Sequence, residues 1–127
     1  IALSDVRKGA DMFKKVNTPV LGVIENMSGL FLSGNTNKPS SKIYINNEEL
    51  EIDVNGDFNI NIDIFKKDGG QKESKRLGVP LLGKIPLSKE IMNATDSGIP
   101  IVVSDSNQKT GEVYFSLADK VLKIIKP

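Results

Sequence analysis

Two patterns of apolar residues divide the chain. Residues 20–24 (VLGVI) and 79–86 (VPLLGKIP) are nearly continuous apolar runs, the pattern of strands that are covered on both faces in a parallel sheet. Between them, over residues 42–65, apolar and polar residues alternate, which is typical of half-buried strands. The pattern predicts an α/β sheet that is interrupted by an antiparallel segment.

The alternating segment predicts a three-stranded antiparallel meander over residues 42–65. Asn46-Asn47 and Asn55-Gly56 fall where its two turns are needed, and Asn-Gly is a strong hairpin signal because both residues adopt positive φ. Residues 33–41 (SGNTNKPSS) precede the meander and are polar loop formers. We therefore interpret residues 33–65 as a loop plus β-meander insertion. The alternating apolar positions are Ile43, Ile45, Leu50, Ile52, Val54, Phe58, Ile60, Ile62 and Ile64.

A helix is predicted before the first apolar run. Ser4 is the predicted N-cap of a helix over residues 5–16, because its hydroxyl can accept a hydrogen bond from an unpaired backbone amide. Val6, Ala10 and Phe13 then share one face.

Further helices are predicted after the meander. A short helix over residues 71–77 ends at Gly78, and Ser88 caps a second one that runs to about Thr95 and stops at Gly98. Residues 101–103 predict a last short strand. Residues 110–126 predict a helix with a buried stripe of Val113, Leu117, Val121, Leu122 and Ile125. The order of elements indicates a mostly parallel layered sheet with right-handed crossovers.

Charge and hydropathy exclude several classes of partner. Lys and Arg number 17 and Asp and Glu number 16 among 127 residues, so the net charge is +1. This balance gives no sign of a nucleic-acid-binding or polybasic membrane surface. No apolar run approaches the roughly 20 residues of a membrane span, and no signal-peptide pattern is present at the start. We expect a cytoplasmic protein without nucleic-acid or membrane partners.

Cysteine and histidine are both absent. Their absence excludes disulfides, thiolate nucleophiles, Ser-His catalysis and metal sites built from sulfur or imidazole. The carboxylates are scattered without the pairing of a general acid and base, and residues 72–76 are interpreted as a solvated helix face. We therefore assign no catalytic residue and no metal ligand. The chain begins at Ile1 rather than at Met, from which we expect that it is part of a longer chain.

Two segments are candidates for a ligand site. Asn26 follows a buried strand, at the edge where open α/β sheets bind ligands, and its amide offers a donor and an acceptor to a purine. Pro86, Leu87 and Ser88 stand at the end of the second apolar strand, where backbone groups can line a base pocket. The spacing is equally explained without a ligand site. Asn26 can be a turn residue, and residues 86–88 can be an ordinary connection between a strand and a helix.

Several blocks of sequence, taken in order, resemble the carboxyl-terminal half of the Mrp/ApbC family. These are MinD-like P-loop ATPases of the SIMIBI class that act as iron–sulfur cluster carriers. The resemblance covers about two thirds of the chain, and its first two blocks are the most specific. The blocks are residues 2–9 (ALSDVRKG), 12–28 (MFKKVNTPVLGVIENMS), 64–70 (IFKKDGG), 77–87 (LGVPLLGKIPL) and 96–103 (DSGIPIVV).

The resemblance implies a nucleotide site that this chain supplies only in part. Asn26 corresponds to the asparagine that recognises adenine, and Pro86, Leu87 and Ser88 correspond to the loop beside that base. Ser88 stands where the family usually has aspartate. The phosphate-binding loop, the magnesium ligands and the switch carboxylates belong to the family's amino-terminal half, which the chain lacks. Residues 1–127 are thus expected to be the carboxyl-terminal portion of an ATP-binding domain and to be catalytically inert alone.

The insertion separates this chain from its family in a second way. Many members carry a Cys-x-x-Cys segment between the positions of Ser28 and Phe65, where it binds a cluster across a homodimer. The meander replaces that segment here, and the absence of cysteine argues against cluster binding by this chain. The meander is interpreted either as a dimer contact or as an insertion without that role.

Two functions follow from these observations. The first is the carboxyl-terminal part of an ATP-binding iron–sulfur cluster carrier, with ATP, iron–sulfur recipient proteins and a second copy of the chain as partners. The alternative is a stand-alone protein-interaction module derived from half of the ATPase fold, without nucleotide chemistry.

Overall fold

The structure, a computed structural model, describes residues 2–65, 68–104 and 109–127. Its elements confirm the α/β class. Lys66 and Lys67, in the block of residues 64–70 that resembles the Mrp/ApbC family, lie outside the described residues. In chain order the elements are α1 (Ala2–Lys15), β1 (Val23–Asn35), β2 (Lys42–Ile45), β3 (Glu48–Glu51), β4 (Asp57–Ile62), α2 (Gly69–Leu77), β5 (Leu81–Leu87), α3 (Lys89–Ser97), α4 (Ile101–Ser104) and α5 (Lys109–Ile125).

Strand β1 is the centre of a three-stranded sheet with the order β4-β1-β5. Its first part pairs in parallel with β5, where Val23 lies opposite Leu81 and Asn26 opposite Ile85. Its last part pairs antiparallel with β4, from Leu30 to Asn35. The described sheet is therefore mixed, whereas a mostly parallel sheet was predicted, because β1 continues past the parallel segment and takes a second partner.

The predicted three-stranded meander is wrong in its third strand. Strands β2 and β3 form the predicted hairpin, and Asn46 and Asn47 have positive φ values of 49° and 66° in its turn. Strand β4 leaves the hairpin and pairs with β1. Residues 33–35, predicted as loop, belong to β1 because they pair with residues 57–59 of β4. Phe58 packs directly over Gly34, where a side chain would clash.

The second predicted turn, at Asn55-Gly56, is confirmed. Gly56 has a φ of 83°, which favours glycine. An Asp53 carboxylate oxygen accepts hydrogen bonds from the backbone N–H groups of Asn55 and Asp57, both at 2.8 Å. This Asx-type turn directs the chain from the hairpin into β4.

Helices α2, α3 and α5 lie close to their predicted bounds. Ser88 caps α3 by accepting a hydrogen bond from Ile91 N at 3.1 Å, and Gly78 and Gly98 end α2 and α3 with φ values of 67° and 68°. None of the described helices is long and apolar enough to cross a bilayer.

Two predictions about helices are wrong. Helix α1 begins at Ala2, so Ser4 lies inside it and is not its N-cap. Residues 101–103 begin the short helix α4 instead of forming a strand. The backbone N–H groups of Val103 and Ser104 donate to the Pro100 carbonyl at 2.9 and 3.0 Å, so this segment satisfies its donors locally.

The core lies between β5 and α5. Leu82, Ile85 and Leu117 form a buried cluster, against which Val113 and Val121 of the predicted stripe pack. Leu122 and Ile125, predicted to complete the stripe, are exposed. The predicted face of α1 is likewise buried only at Ala10, while Val6 and Phe13 are about half exposed, at 52% and 46%. Apolar surface at the end of α5 and along α1 is therefore open to solvent in the described part of the chain.

Candidate functional site

The structure brings the four candidate residues to one end of the β1–β5 pair. Asn26 lies opposite Ile85 in the parallel register, and Pro86, Leu87 and Ser88 continue the same strand to its carboxyl end. The prediction that Asn26 follows a strand over residues 20–24 is wrong, because β1 begins at Val23 and continues through Asn26 to Asn35. Asn26 therefore lies within the strand, near the carboxyl end of its parallel pairing with β5. Open α/β sheets bind ligands at the carboxyl ends of their strands. The structure thus places the two segments next to one another, and their role in binding stays a prediction.

The backbone at Asn26 is irregular. Between Asn26 and Leu30, β1 advances four residues while β5 advances from Ile85 to Leu87, which makes a bulge in β1. Met27 has a φ of 53°, a costly conformation for a residue with a long side chain. Bulges and strained residues of this kind concentrate next to ligand sites.

The Asn26 amide is fixed on one side and open on the other. Its Oδ1 accepts a hydrogen bond from Met27 N at 2.9 Å. Its Nδ2 donates to none of the described residues, and the side chain is exposed. The amide therefore presents an oriented donor to solvent at the end of the sheet.

Residues 86–88 contribute backbone and apolar surface rather than a reactive side chain. Ser88 is only 1% exposed, and its hydroxyl is engaged with Ile91 N as the cap of α3. Pro86 has no N–H, and Leu87 is half-buried. The segment can contact a flat ring, but the Ser88 hydroxyl is not available to a ligand.

The sequence did not identify Glu25 and Lys84 as neighbours of this site. They are register partners one step before Asn26 and Ile85, and Lys84 Nζ lies 3.9 Å from Glu25 Oε2. That oxygen is buried and has no hydrogen-bond partner in the described part of the chain. A Cβ added at Gly70, in the first turn of α2, would lie 2.8 Å from it. Gly70 therefore allows α2 to approach the strand that carries Asn26.

A charged network joins α1 to α2. Glu73 is 1% exposed and accepts hydrogen bonds from Arg7 Nε at 3.1 Å and from Arg76 Nη2 at 2.6 Å. Arg76 Nη1 also donates to Asp11 at 3.0 Å. The interpretation of residues 72–76 as a solvated face is therefore wrong at Glu73. The spacing of these residues in the sequence could have indicated the network. Arg7 and Asp11 are four residues apart and Glu73 and Arg76 are three apart, so each pair lies on one face of its helix.

The network shifts the titration of its members. Hydrogen bonding from Arg76 is the main reason that the pKa of Glu73 lies below its ordinary value; burial opposes the shift, and Arg7 adds to it. The same hydrogen bond, followed by the one to Asp11, raises the pKa of Arg76. Both charges are therefore maintained throughout the physiological pH range, and the network is structural rather than an acid–base pair.

The described residues do not fit an iron–sulfur cluster. A cluster needs thiolate ligands, and the sequence contains no cysteine. Within residues 2–65, 68–104 and 109–127, no group of three or more carboxylate side chains is placed to hold a metal ion.

Sequence comparison places the chain in a family. A family model described as ParA, NUBPL iron-transfer P-loop NTPase matches residues 1–51 and 45–122. Similar curated proteins include an iron–sulfur protein required for NADH dehydrogenase in Arabidopsis thaliana mitochondria, 33% identical over 99% of this chain and 33% of the relative. An iron–sulfur cluster carrier protein of Methanocaldococcus jannaschii is 32% identical over 99% of this chain and 35% of the relative.

A mouse relative named iron–sulfur cluster transfer protein NUBPL is 33% identical over 99% of this chain and 32% of its own length. The chain thus spans about a third of the length of the curated relatives that it matches. These matches favour a carrier family over a stand-alone interaction module, and the resemblance drawn from the sequence blocks is confirmed. The chain belongs to the NUBPL iron-transfer P-loop NTPase family.

Proposed function

We propose that the chain is the carboxyl-terminal part of an iron–sulfur cluster carrier that binds and hydrolyses ATP, and that it supplies the adenine side of the nucleotide site. Relatives three times as long are named as cluster carrier or transfer proteins. The insertion over residues 33–65 is proposed to be an addition to the family domain.

The observation that carries the proposal is the placement of Asn26. Its side chain is exposed within β1, opposite Ile85, which directly precedes residues 86–88, and Met27 N holds its Oδ1 in one orientation. The exposed Nδ2 can donate to a ring nitrogen of adenine, while Pro86 and Leu87 offer an apolar surface to the ring face. Fixing the amide before binding lowers the entropy cost of recognition.

The chain is proposed to lack the machinery for hydrolysis. Phosphoryl transfer needs a phosphate cradle, a magnesium ion and a positioned water. The sequence contains no Gly-x-x-x-x-Gly-Lys-Ser/Thr loop. We expect the 127-residue chain to recognise the base weakly and to hydrolyse no ATP.

Nuclear magnetic resonance tests whether the chain recognises adenine without hydrolysing ATP. ATP titrated into the ¹⁵N-labelled chain is expected to shift the Asn26 side-chain amide and the Leu87 and Ser88 backbone amides, with much smaller shifts for GTP. The same sample is expected to release no phosphate above a buffer control. Equal shifts for both nucleotides, shifts elsewhere alone, or phosphate release that depends on the chain would contradict the proposal.

Assembly and partners form the remaining part of the proposal. Strand β5 pairs only with β1 among the described strands, and an unpaired strand edge promotes pairing with another chain. We infer self-association through this edge, with cluster-receiving proteins as partners of the longer carrier in the cytoplasm. Sedimentation of the chain is expected to show concentration-dependent association, and a monomer at high concentration would contradict it.

A further inference from the structure

A second concave surface lies on the other part of β1, away from Asn26. It is a groove of about 990 Å³ between the β1–β4 pair, the end of β3 and the first turns of α3 and α5. We call it the hairpin groove. Its residues come from segments 31–35, 50–53 and 57–59, with Glu90 and Thr110 opposite. Five elements thus converge on one surface to which the proposed nucleotide site assigns no role.

The hairpin groove is lined by charges of one sign. Its carboxylates are Glu51, Asp53, Asp57 and Glu90, and none of its described lining residues is a lysine or an arginine. Asp53 and Asp57 accept hydrogen bonds from neighbouring turn or strand groups. Glu51 and Glu90 form no hydrogen bond or ion pair with a described residue. Since the whole chain has a net charge of +1, this concentration of negative charge is local.

The floor of the hairpin groove is apolar and partly aromatic. Phe31, Leu50 and Ile52 line it together with Phe58, whose ring covers Gly34. Aromatic faces attract cations, and a guanidinium stacks on a ring while its N–H groups reach carboxylates at the rim. An apolar floor with an acidic rim therefore matches a side chain that has an aliphatic stem and a positive end.

Thr110 contributes a hydroxyl to the hairpin groove. It is only 5% exposed and lines the groove from the start of α5. Its hydroxyl forms no hydrogen bond with any described residue, and Thr110 lies on the wall of the groove. The hydroxyl can accept a hydrogen bond from a guanidinium N–H in the groove.

We propose that the hairpin groove binds an extended, arginine-bearing segment of a partner protein, with apolar residues beside the arginine. A divalent cation fits less well, since no three carboxylates in the described part of the chain are placed to hold one. A nucleic acid is disfavoured because its phosphates would meet the carboxylate rim. The inference concerns residues other than Asn26 and does not depend on nucleotide binding.

Fluorescence polarisation tests the proposal on the full 127-residue chain. The probe is a fluorescein-labelled peptide, Gly-Ala-Phe-Arg-Leu-Arg-Ala-Gly, and the matched peptide carries citrulline, the neutral isostere, at both arginines. We expect the arginine peptide to bind at least about tenfold more tightly than the citrulline peptide. The Glu51→Gln/Glu90→Gln double variant is expected to lose about tenfold in affinity. Glu48→Gln, on the same hairpin but outside the groove, is the control and is expected to bind as the original chain does.

Each other outcome overturns the proposal. Equal affinity for the two peptides, unchanged binding by the double variant, or the same loss in Glu48→Gln removes the role of the groove carboxylates. No saturable binding below about 1 mM removes the partner. A second copy of the chain is the alternative occupant, and sedimentation of the double variant tests it. Loss of self-association in that variant would show that a second copy occupies the groove and would overturn the proposal.

Discussion

Glu73 is the side chain whose replacement tests the packing of α1 on α2 most sharply. It is 1% exposed and is reached by Arg7 from α1 and by Arg76 from its own helix. Glu73→Gln keeps the size of the side chain and removes its charge. Any loss of stability then reports the charge-assisted hydrogen bonds rather than a cavity.

The expected loss follows from these contacts. A hydrogen bond to a charged group contributes about 1.5–3 kcal/mol to stability, against about 0.5–1.5 kcal/mol for a neutral one. The Arg7 and Arg76 side chains are 47% and 35% exposed, so water screens part of the difference. Glutamine also turns an N–H group toward the two guanidinium donors. We expect the free energy of unfolding to fall by about 2 kcal/mol.

Urea unfolding followed by circular dichroism measures this change. With a slope of about 2 kcal/mol per molar urea, the midpoint of Glu73→Gln is expected to fall by about 1 M. Glu48→Gln is the matched control, because Glu48 is exposed and has no ion pair among the described residues. Its expected change is below about 0.5 kcal/mol.

The pH dependence supplies a second readout. Because the folded-state pKa of Glu73 is lowered, its stabilisation is complete above the unfolded-state value of about 4.3 and is lost as pH falls through the folded-state value. The difference between the original chain and Glu73→Gln should be constant from about pH 7 to pH 5 and shrink below about pH 4. A midpoint equal to that of the original chain at pH 7, or a difference that persists undiminished at pH 2, would refute the reasoning.

The remaining predictions concern the core and the approach of α2 and α3 to the candidate site. Leu117→Ala removes a buried contact of the core cluster and should cost about 3 kcal/mol in unfolding free energy, with a cost below about 1 kcal/mol contradicting its burial. Ser88→Ala removes the cap of α3 and should cost about 1 kcal/mol, and thermal denaturation with an unchanged midpoint would contradict the cap. Gly70→Ala brings a Cβ within 2.8 Å of Glu25 Oε2 and should cost about 1–2 kcal/mol, whereas Gly69→Ala, which faces open space, should be neutral or stabilising. Equal effects of the two glycine substitutions would show that α2 does not approach Glu25 closely.

Local signals in the sequence predicted much of the fold. The turn at Asn46-Asn47, the cap at Ser88 and the stops at Gly78 and Gly98 are each determined by a residue and its immediate neighbours. Such local rules transfer directly from sequence to structure. Predictions of this kind were confirmed at these positions, whereas the N-cap predicted at Ser4 was wrong.

Pairing between distant strands could not be predicted in the same way. Alternation indicates that residues 57–62 form a half-buried strand, but it does not indicate which strand they pair with. In the structure these residues, as β4, pair with β1 rather than with β3. The extension of β1 through residues 33–35 depends on pairing with β4, in which Gly34 lies opposite Phe58, 24 residues away in sequence. Likewise the burial of Glu73 depends on Arg7 from another helix, which the composition of residues 72–76 does not reveal.

The sequence predicted which segments form the candidate site, and the structure added their backbone geometry and hydrogen bonds. Its two segments were placed at one edge from the strand pattern, and the register of Asn26 with Ile85 agrees. The positive φ of Met27 and the engagement of the Ser88 hydroxyl were not predictable, because both depend on the exact backbone path. They leave Asn26 as the side chain to which we assign the proposed recognition of adenine.

Calorimetric titration of ATP into the 127-residue chain tests that claim most directly. Asn26→Ala removes one or two hydrogen bonds to the base and leaves the phosphates untouched, so ATP affinity is expected to fall about tenfold. The affinity for GTP should not change. An Asn26→Ala protein that binds ATP as tightly as the original would contradict the assignment of this edge as the adenine side of the site.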